Sequence, residues 1–132
     1  MAQPNDDIMK LKQEIFAKAA AGLASQNWER SLSCNICSYR GPLGLKCAIG
    51  HLIPDDRYSA DIENKTVFHK VVAEAIPELD RFAGTVPLAL AQFLRDLQHA
   101  HDFSISPFGL HQKFKEIAFL IDFPFDFPAP VN

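Results

Sequence analysis

The stretch PFGLHQKFKEIAFLID, residues 107–122, decides the fold class. Leu110, Phe114, Ile117 and Ile121 recur at spacings of three and four, which in a helix forms one apolar face. Phe119 and Leu120 broaden that face. Ser106 precedes it as a cap, whose hydroxyl accepts from a free first-turn amide, and Pro107 takes the first helical position, where a missing N–H does no harm. The run predicts a helix over 107–122 and makes it the most buried element of the chain.

The same period returns upstream. Residues 86–102 carry Leu90, Phe93, Leu94, Leu97 and His101 on one face, with Thr85 as cap and Pro87 in the first turn. Residues 66–76 carry Val67, Val71 and Ile76 and end at Pro77, which disfavours helix in the residue before it. Residues 6–25 carry Ile8, Leu11, Ile15, Ala19 and Leu23, widened by Phe16, with Asn5 or Asp6 as cap. Gly22 is a mild weakness near the end of that helix.

Between the first helix and the rest lies a different pattern. Residues 36–40 and 45–49 flank Gly41, Pro42, Leu43 and Gly44, whose dihedral preferences suit a turn, so 36–49 reads as a hairpin. Residues 50–61 have no period and read as a loop. The tail, residues 123–132, holds Phe123, Phe125 and Phe127 among prolines, which exclude helix and predict an extended segment. It serves as a strap completing the core, as an arm that docks on another copy or a partner, or as a frayed end. The fold class is therefore mainly α with one small β-hairpin (α+β): about four helices around a Phe-rich core, in one domain over 1–132.

The 132 residues hold 13 Lys and Arg against 16 Asp and Glu, a net charge of −3, which argues against a general nucleic-acid binder. The polar, acidic start MAQPNDD does not read as an export signal, and no apolar run is long enough to span a bilayer. Three cysteines cannot form a closed disulfide framework within one chain, so a soluble cytoplasmic protein is expected.

Three constellations bear on chemistry. Cys34, Cys37, Cys47 and His51 supply three thiols and an imidazole, the donor set of a structural zinc site. A regular hairpin with Pro42 and Leu43 at its tip pairs Cys37 with Ala48 and turns Cys37 and Cys47 to opposite faces, which opposes that site; one bulge would reverse this. His101 beside Asp102 is a base with a carboxylate neighbour, but Ser31, Ser33 and Ser38 have no context that marks a nucleophile. Tyr39, Arg40, Lys46, His51, Asp55, Asp56, Arg57 and Tyr58 combine aromatic rings with cations, as an anionic ligand carrying a ring requires. No phosphate-binding glycine loop, nucleophile elbow or zinc-protease motif is present.

The string C-x-Y-R from Cys37, then G-x-K-C-A-x-G-x-L-I-P-D from Gly44 to Asp55, then Tyr58, resembles a family of small proteins common in bacteriophages and prophages. The same family often carries L-Q-x-x-H-D, here Leu97 to Asp102. The resemblance spans roughly residues 8–121. It implies a host bacterial cytoplasm and an accessory role such as interference with host defence. Cys34 is not part of that string and the position of His51 varies within it, so it does not imply a zinc site. It does suggest that the polar residues of the hairpin converge with His101 and Asp102.

The expectation is thus a phage-type accessory binding protein. It would sequester a small anionic, nucleotide-like ligand, or occlude a host protein. The ligand-binding set is Tyr39, Arg40, Lys46, His51, Asp55, Tyr58, His101 and Asp102, with no cofactor, no metal and no catalytic residue assigned. The alternatives are a zinc-stapled interaction module on Cys34, Cys37, Cys47 and His51, and a small hydrolase using His101 and Asp102. Eleven Phe make self-association through the C-terminal region a fair expectation.

Overall fold

The computed structural model describes residues 4–33, 36–82 and 85–131; the side chains of residues 4–6, 32–33 and 36–37 fall outside that description. The chain is mainly helical. Helix α1 (Pro4–Ser25) is followed by a two-residue antiparallel ladder, β1 (Leu32–Ser33) and β2 (Ile36–Cys37). A winding segment with short 3₁₀ turns leads to α2 (Lys70–Glu74), a 3₁₀ turn over Pro77–Phe82, α3 (Leu88–Asp102) and α4 (Pro107–Leu120).

The expected hairpin over 36–49 is not seen. Its two arms share a single bridge, Arg40 with Lys46, closed by the Gly41 N–H to the Leu45 carbonyl at 2.9 Å. Leu43 and Gly44 both take left-handed backbone, with φ of 62° and 75°, and this widens the turn. The turn consequently centres on Leu43 instead of between Pro42 and Leu43, a register shift of one residue, and brings the Cys47 N–H to the Tyr39 carbonyl at 3.4 Å. The expected pairing of Cys37 with Ala48 does not form.

Helix α4 is not the most buried element. Leu110, Phe114 and Ala118 are buried, but Phe119 and Leu120 are 84 % and 77 % exposed. That place belongs to α3, where seven of fifteen residues are buried; α1 adds Leu11, Ile15, Phe16, Ala19, Ala20 and Leu23 to the core. It packs against both α3 and the turn at Gly50–Leu52. Gly22 is what permits the second contact, because a Cβ there would run into the His51 ring. α1 begins at Pro4, so Asn5 and Asp6 already lie within it; their side chains fall outside the description.

The end of α1 is set by a device the periodicity does not reveal. The Trp28 N–H donates to the Leu23 carbonyl at 2.8 Å and the Asn27 N–H to the Ala24 carbonyl at 3.0 Å. Asn27 is left-handed, φ 57°, in the position where asparagine replaces glycine in a Schellman termination. Trp28 is thereby driven into the core. Its indole N–H then donates to the Pro128 carbonyl at 2.8 Å.

That bond is one of several holding the tail on its own chain. Asn27 both donates to the Val131 carbonyl and accepts from the Val131 N–H, at 2.6 and 2.8 Å. Phe123, Phe125 and Phe127 alternate with exposed residues, so their rings fall on one side. They surround Phe16 at 5.7, 6.2 and 6.2 Å between ring centroids, while Phe114 stacks on it at 5.4 Å.

The other helices follow their sequence signals unevenly. Ser106 caps α4 as expected, accepting from the Gly109 N–H at 3.0 Å. α3 starts at Leu88 with Pro87 as its cap residue and no side-chain capping bond. α2 is much shorter than the expected 66–76, and its cap is the His69 ring, Nδ1 accepting from the Val71 N–H at 3.1 Å.

Candidate functional site

The segment from Tyr39 to Glu63 folds back on itself, and Glu63 ties the fold-back. Its Oε1 accepts from the Tyr39 N–H at 3.0 Å. Its Oε2 accepts from the Arg40 N–H at 3.1 Å and from the Tyr58 hydroxyl at 2.6 Å. A carboxylate accepting from backbone amides and a phenol is firmly placed, because charge-assisted bonds are about twice as strong as neutral ones. Burial, then the bond to Glu63, pushes the Tyr58 phenol up to about 12. Burial above all raises the Tyr39 phenol, which donates to the Lys65 carbonyl.

Arg40 is held inside the same knot. Its guanidinium lies 4.4 Å from the centre of the Tyr58 ring, donates to the Ile53 carbonyl at 3.0 Å and pairs with Asp55 at 2.7 Å. Tyr39, Arg40, Asp55 and Tyr58 therefore do converge, but on each other. The bonds of Arg40 and Tyr58 stabilise the loop, so Arg40 has a structural role beside the ligand role expected of it.

Lys46 and His51 join a second cluster, at the end of α1. Gln26 brackets the Lys46 backbone: Oε1 accepts from its N–H at 3.1 Å, and Nε2 donates to its carbonyl at 2.7 Å. His51 Nε2 donates to the same Oε1 at 2.9 Å. Burial, and then the nearby Lys46 charge, lowers the His51 imidazole to about 4, so the ring is neutral.

His101 and Asp102 form a third cluster. His101 is fully buried; Nε2 accepts from the Ser31 N–H at 3.0 Å and Nδ1 donates to Asp102 Oδ1 at 3.0 Å. Asp102 also accepts from Gln98 at 2.8 Å, and its carbonyl accepts from Arg30 at 3.2 Å. With both ring nitrogens engaged and no exposed surface, His101 cannot take a proton from a bound substrate. The hydrolase alternative loses its base to the fold.

The described members of the zinc set are also engaged. Cys47 is buried, its Sγ accepts from the Gly50 N–H at 3.3 Å, and burial pushes its thiol up to about 12. Cys34 and the side chain of Cys37 lie outside the described residues. Among the described residues, no group of three His, Cys, Asp or Glu side chains could hold a metal ion.

The open space lies beside these clusters. A cleft of about 330 Å³ runs between residues 63–68 and the C-terminal half of α3. Tyr39 and Asp102 form part of its wall, and Lys65, Thr66, Arg95 and His99 bring polar groups to it. Phe68 and Val67 supply an apolar side. A shallower cleft of about 410 Å³, lined by Arg40 and Tyr58, shares Glu63 and Asn64 with the first. Lys46, His51, Asp55 and His101 line neither cleft.

Sequence reasoning missed Glu63, Gln26, Lys65, Thr66 and Arg95. The bonds of Glu63 to the Tyr39 and Arg40 amides and of Gln26 to Lys46 and His51 span 20 or more residues, so they have no local pattern. A signal did exist for the helix side: Arg95, Gln98, His99 and Asp102 fall at spacings that share one face. No family model matches this chain, and no curated protein or solved structure matches it.

Proposed function

We propose that this chain is a binding protein that holds a small organic anion, of nucleotide size, in the cleft between residues 63–68 and α3, and that it sequesters the ligand without turning it over. The observation that carries this reading is the division of labour around the cleft. Its acidic residues, Glu63 and Asp102, are taken up by internal donors. Arg95 is 46 % exposed and has only a loose contact of 3.7 Å with Asp96. Glu63 and Asp102 keep their charge but have their oxygens turned to internal donors, and Lys65 Nζ gives one bond to the Asp61 carbonyl. The donors left for a ligand are those of Arg95, Thr66, His99 and the rest of the Lys65 ammonium, over an aromatic side, in a space of the size small-molecule sites use.

Binding is favoured over turnover because the acid–base pair visible in the sequence, His101 with Asp102, is spent on internal bonds. The resemblance to phage and prophage proteins supplies a setting: an accessory protein that lowers the free concentration of a host anion. No helix of the described residues is long and apolar enough to cross a membrane.

The test is native mass spectrometry of the purified full chain against the same sample denatured, followed by titration with a panel of nucleotides and inorganic phosphate. A retained or titrated anion that Arg95→Ala and Lys65→Ala weaken tenfold or more is the expected result. A chain that binds none of the panel, or binds it equally well in both variants, overturns the reading.

A second reading, occlusion of a host protein, draws on the corner between α3 and α4. Phe103, Ile105 and Phe108 are 68 %, 94 % and 52 % exposed within six residues of chain. A partner captured by the wild type and lost with Ile105→Asp supports it; equal capture by both counts against it.

A further inference from the structure

The face of α3 that lines the polar cleft continues past it. Toward the helix N-terminus, Leu88, Ala91 and Leu94 line a second cleft, of about 360 Å³. Its other wall is Val67, Phe68, Ala73 and Leu79. Val67 and Phe68 belong to both clefts, so the half-exposed Phe68 ring is a partition between two compartments. On the polar side, the Arg95 guanidinium lies 5.9 Å from the centre of that ring.

The sequence of α3 states the same change in chemistry. Leu88, Ala91, Arg95, Gln98 and Asp102 are spaced by three or four and form one stripe, apolar in its first half and polar in its second. Leu88 is 66 % exposed at the lip of the apolar compartment.

We infer that the ligand of this site is an anionic amphiphile: a phosphate head group beside Lys65, Thr66 and Arg95, with an aliphatic arm passing over Phe68 into the apolar groove against Leu88, Ala91 and Leu94. This rests on the anion-binding reading above and adds the class of the ligand's apolar part. A phosphate head meets two cations, Arg95 and Lys65, the latter also donating to the Asp61 carbonyl, in a cleft whose two carboxylates, Glu63 and Asp102, are turned to internal donors. The arm is aliphatic because the groove beyond Phe68 is walled mainly by alkyl side chains, Lys70 and Thr85 being its polar members. A flexible chain can bend over the ring edge, whereas a rigid base would stop at it. Burying the arm removes from water apolar surface that the fold leaves open.

The test uses the full chain and ethyl, butyl, hexyl and octyl phosphate, each below its own aggregation concentration, read by two-dimensional NMR titration. The dissociation constant falls about twofold to fourfold for each added methylene, the upper figure being full burial. Leu88→Gln, at an exposed position, removes the dependence on chain length without adding a charge. Ala91→Phe, which fills the groove from inside, does the same and guards against a change confined to the lip. A flat dependence, or one that both variants leave intact, overturns the amphiphile inference, while ethyl phosphate binding that Arg95→Ala weakens keeps the anion reading. Absence of binding by every member of the series overturns both.

Discussion

The backbone amide of Ser31 donates to Nε2 of His101 at 3.0 Å, between residues 70 positions apart in the chain. This bond joins the segment after α1 to the last turn of α3, and it fixes the imidazole with its proton on Nδ1, facing Asp102. A histidine that the sequence offers as a base is by geometry a tie between two parts of the fold.

His101→Ala leaves the Ser31 amide buried without a partner and opens a cavity. Loss of a buried partner and of a large side chain predicts destabilisation by about 3 kcal/mol. Urea denaturation measures it. A loss under about 1 kcal/mol would show that the tie is dispensable.

Arg40 stacks on Tyr58 and donates to the Ile53 carbonyl, so Arg40→Ala lowers stability by about 1–2 kcal/mol. Arg40→Lys does not restore it, since an ammonium lacks the planar fork that stacks and bonds at once. Glu63→Ala costs at least as much, because it strands the Tyr39 and Arg40 amides together. Thermal melts of the three variants rank them; an Arg40→Lys protein as stable as wild type would contradict the stacking role.

His51 is neutral in the fold, with its imidazole lowered from the usual 6.5 to about 4 by burial first and the Lys46 charge second. Between those values the unfolded chain binds a proton that the folded chain does not. Stability from this group is therefore complete above pH 6.5 and is lost as pH falls toward 4. Solvent screening of the partly exposed ring holds the loss to roughly 2 kcal/mol or less. His51→Asn flattens the stability profile in this window. Unchanged acid sensitivity in that variant would place the effect on another group.

The tail covers Phe16 and Trp28 and is bonded to Trp28 and Asn27. Phe125→Ala removes a half-buried ring that touches Phe16, Trp28 and His111, and costs about 2 kcal/mol. Ending the chain after Ile121 exposes those rings and promotes self-association, which light scattering reads. A truncated chain that remains monomeric and as stable as wild type would show the strap to be passive.

The repeats of three and four along the chain, the Ser106 cap and the alternation of phenylalanine with proline in the tail are local facts. They were sufficient for α1, α3, α4 and an extended terminus, because a helix face and a strand face are written within a few residues of one another. The resemblance brought forward Tyr39, Arg40, Tyr58, His101 and Asp102, but not what each one touches. Whether a polar side chain faces a ligand or another part of the same chain depends on groups 20 to 70 residues away. Glu63 meeting Tyr39, Gln26 meeting Lys46 and Ser31 meeting His101 have no local signature. The sequence by itself therefore determined which segments are helical and which face of each is apolar. Only the tertiary structure decided that the conspicuous polar residues bond to each other, and that Lys65, Thr66 and Arg95 are left beside open space. Most buried donors and acceptors are paired, and the pairing is settled only when distant segments meet.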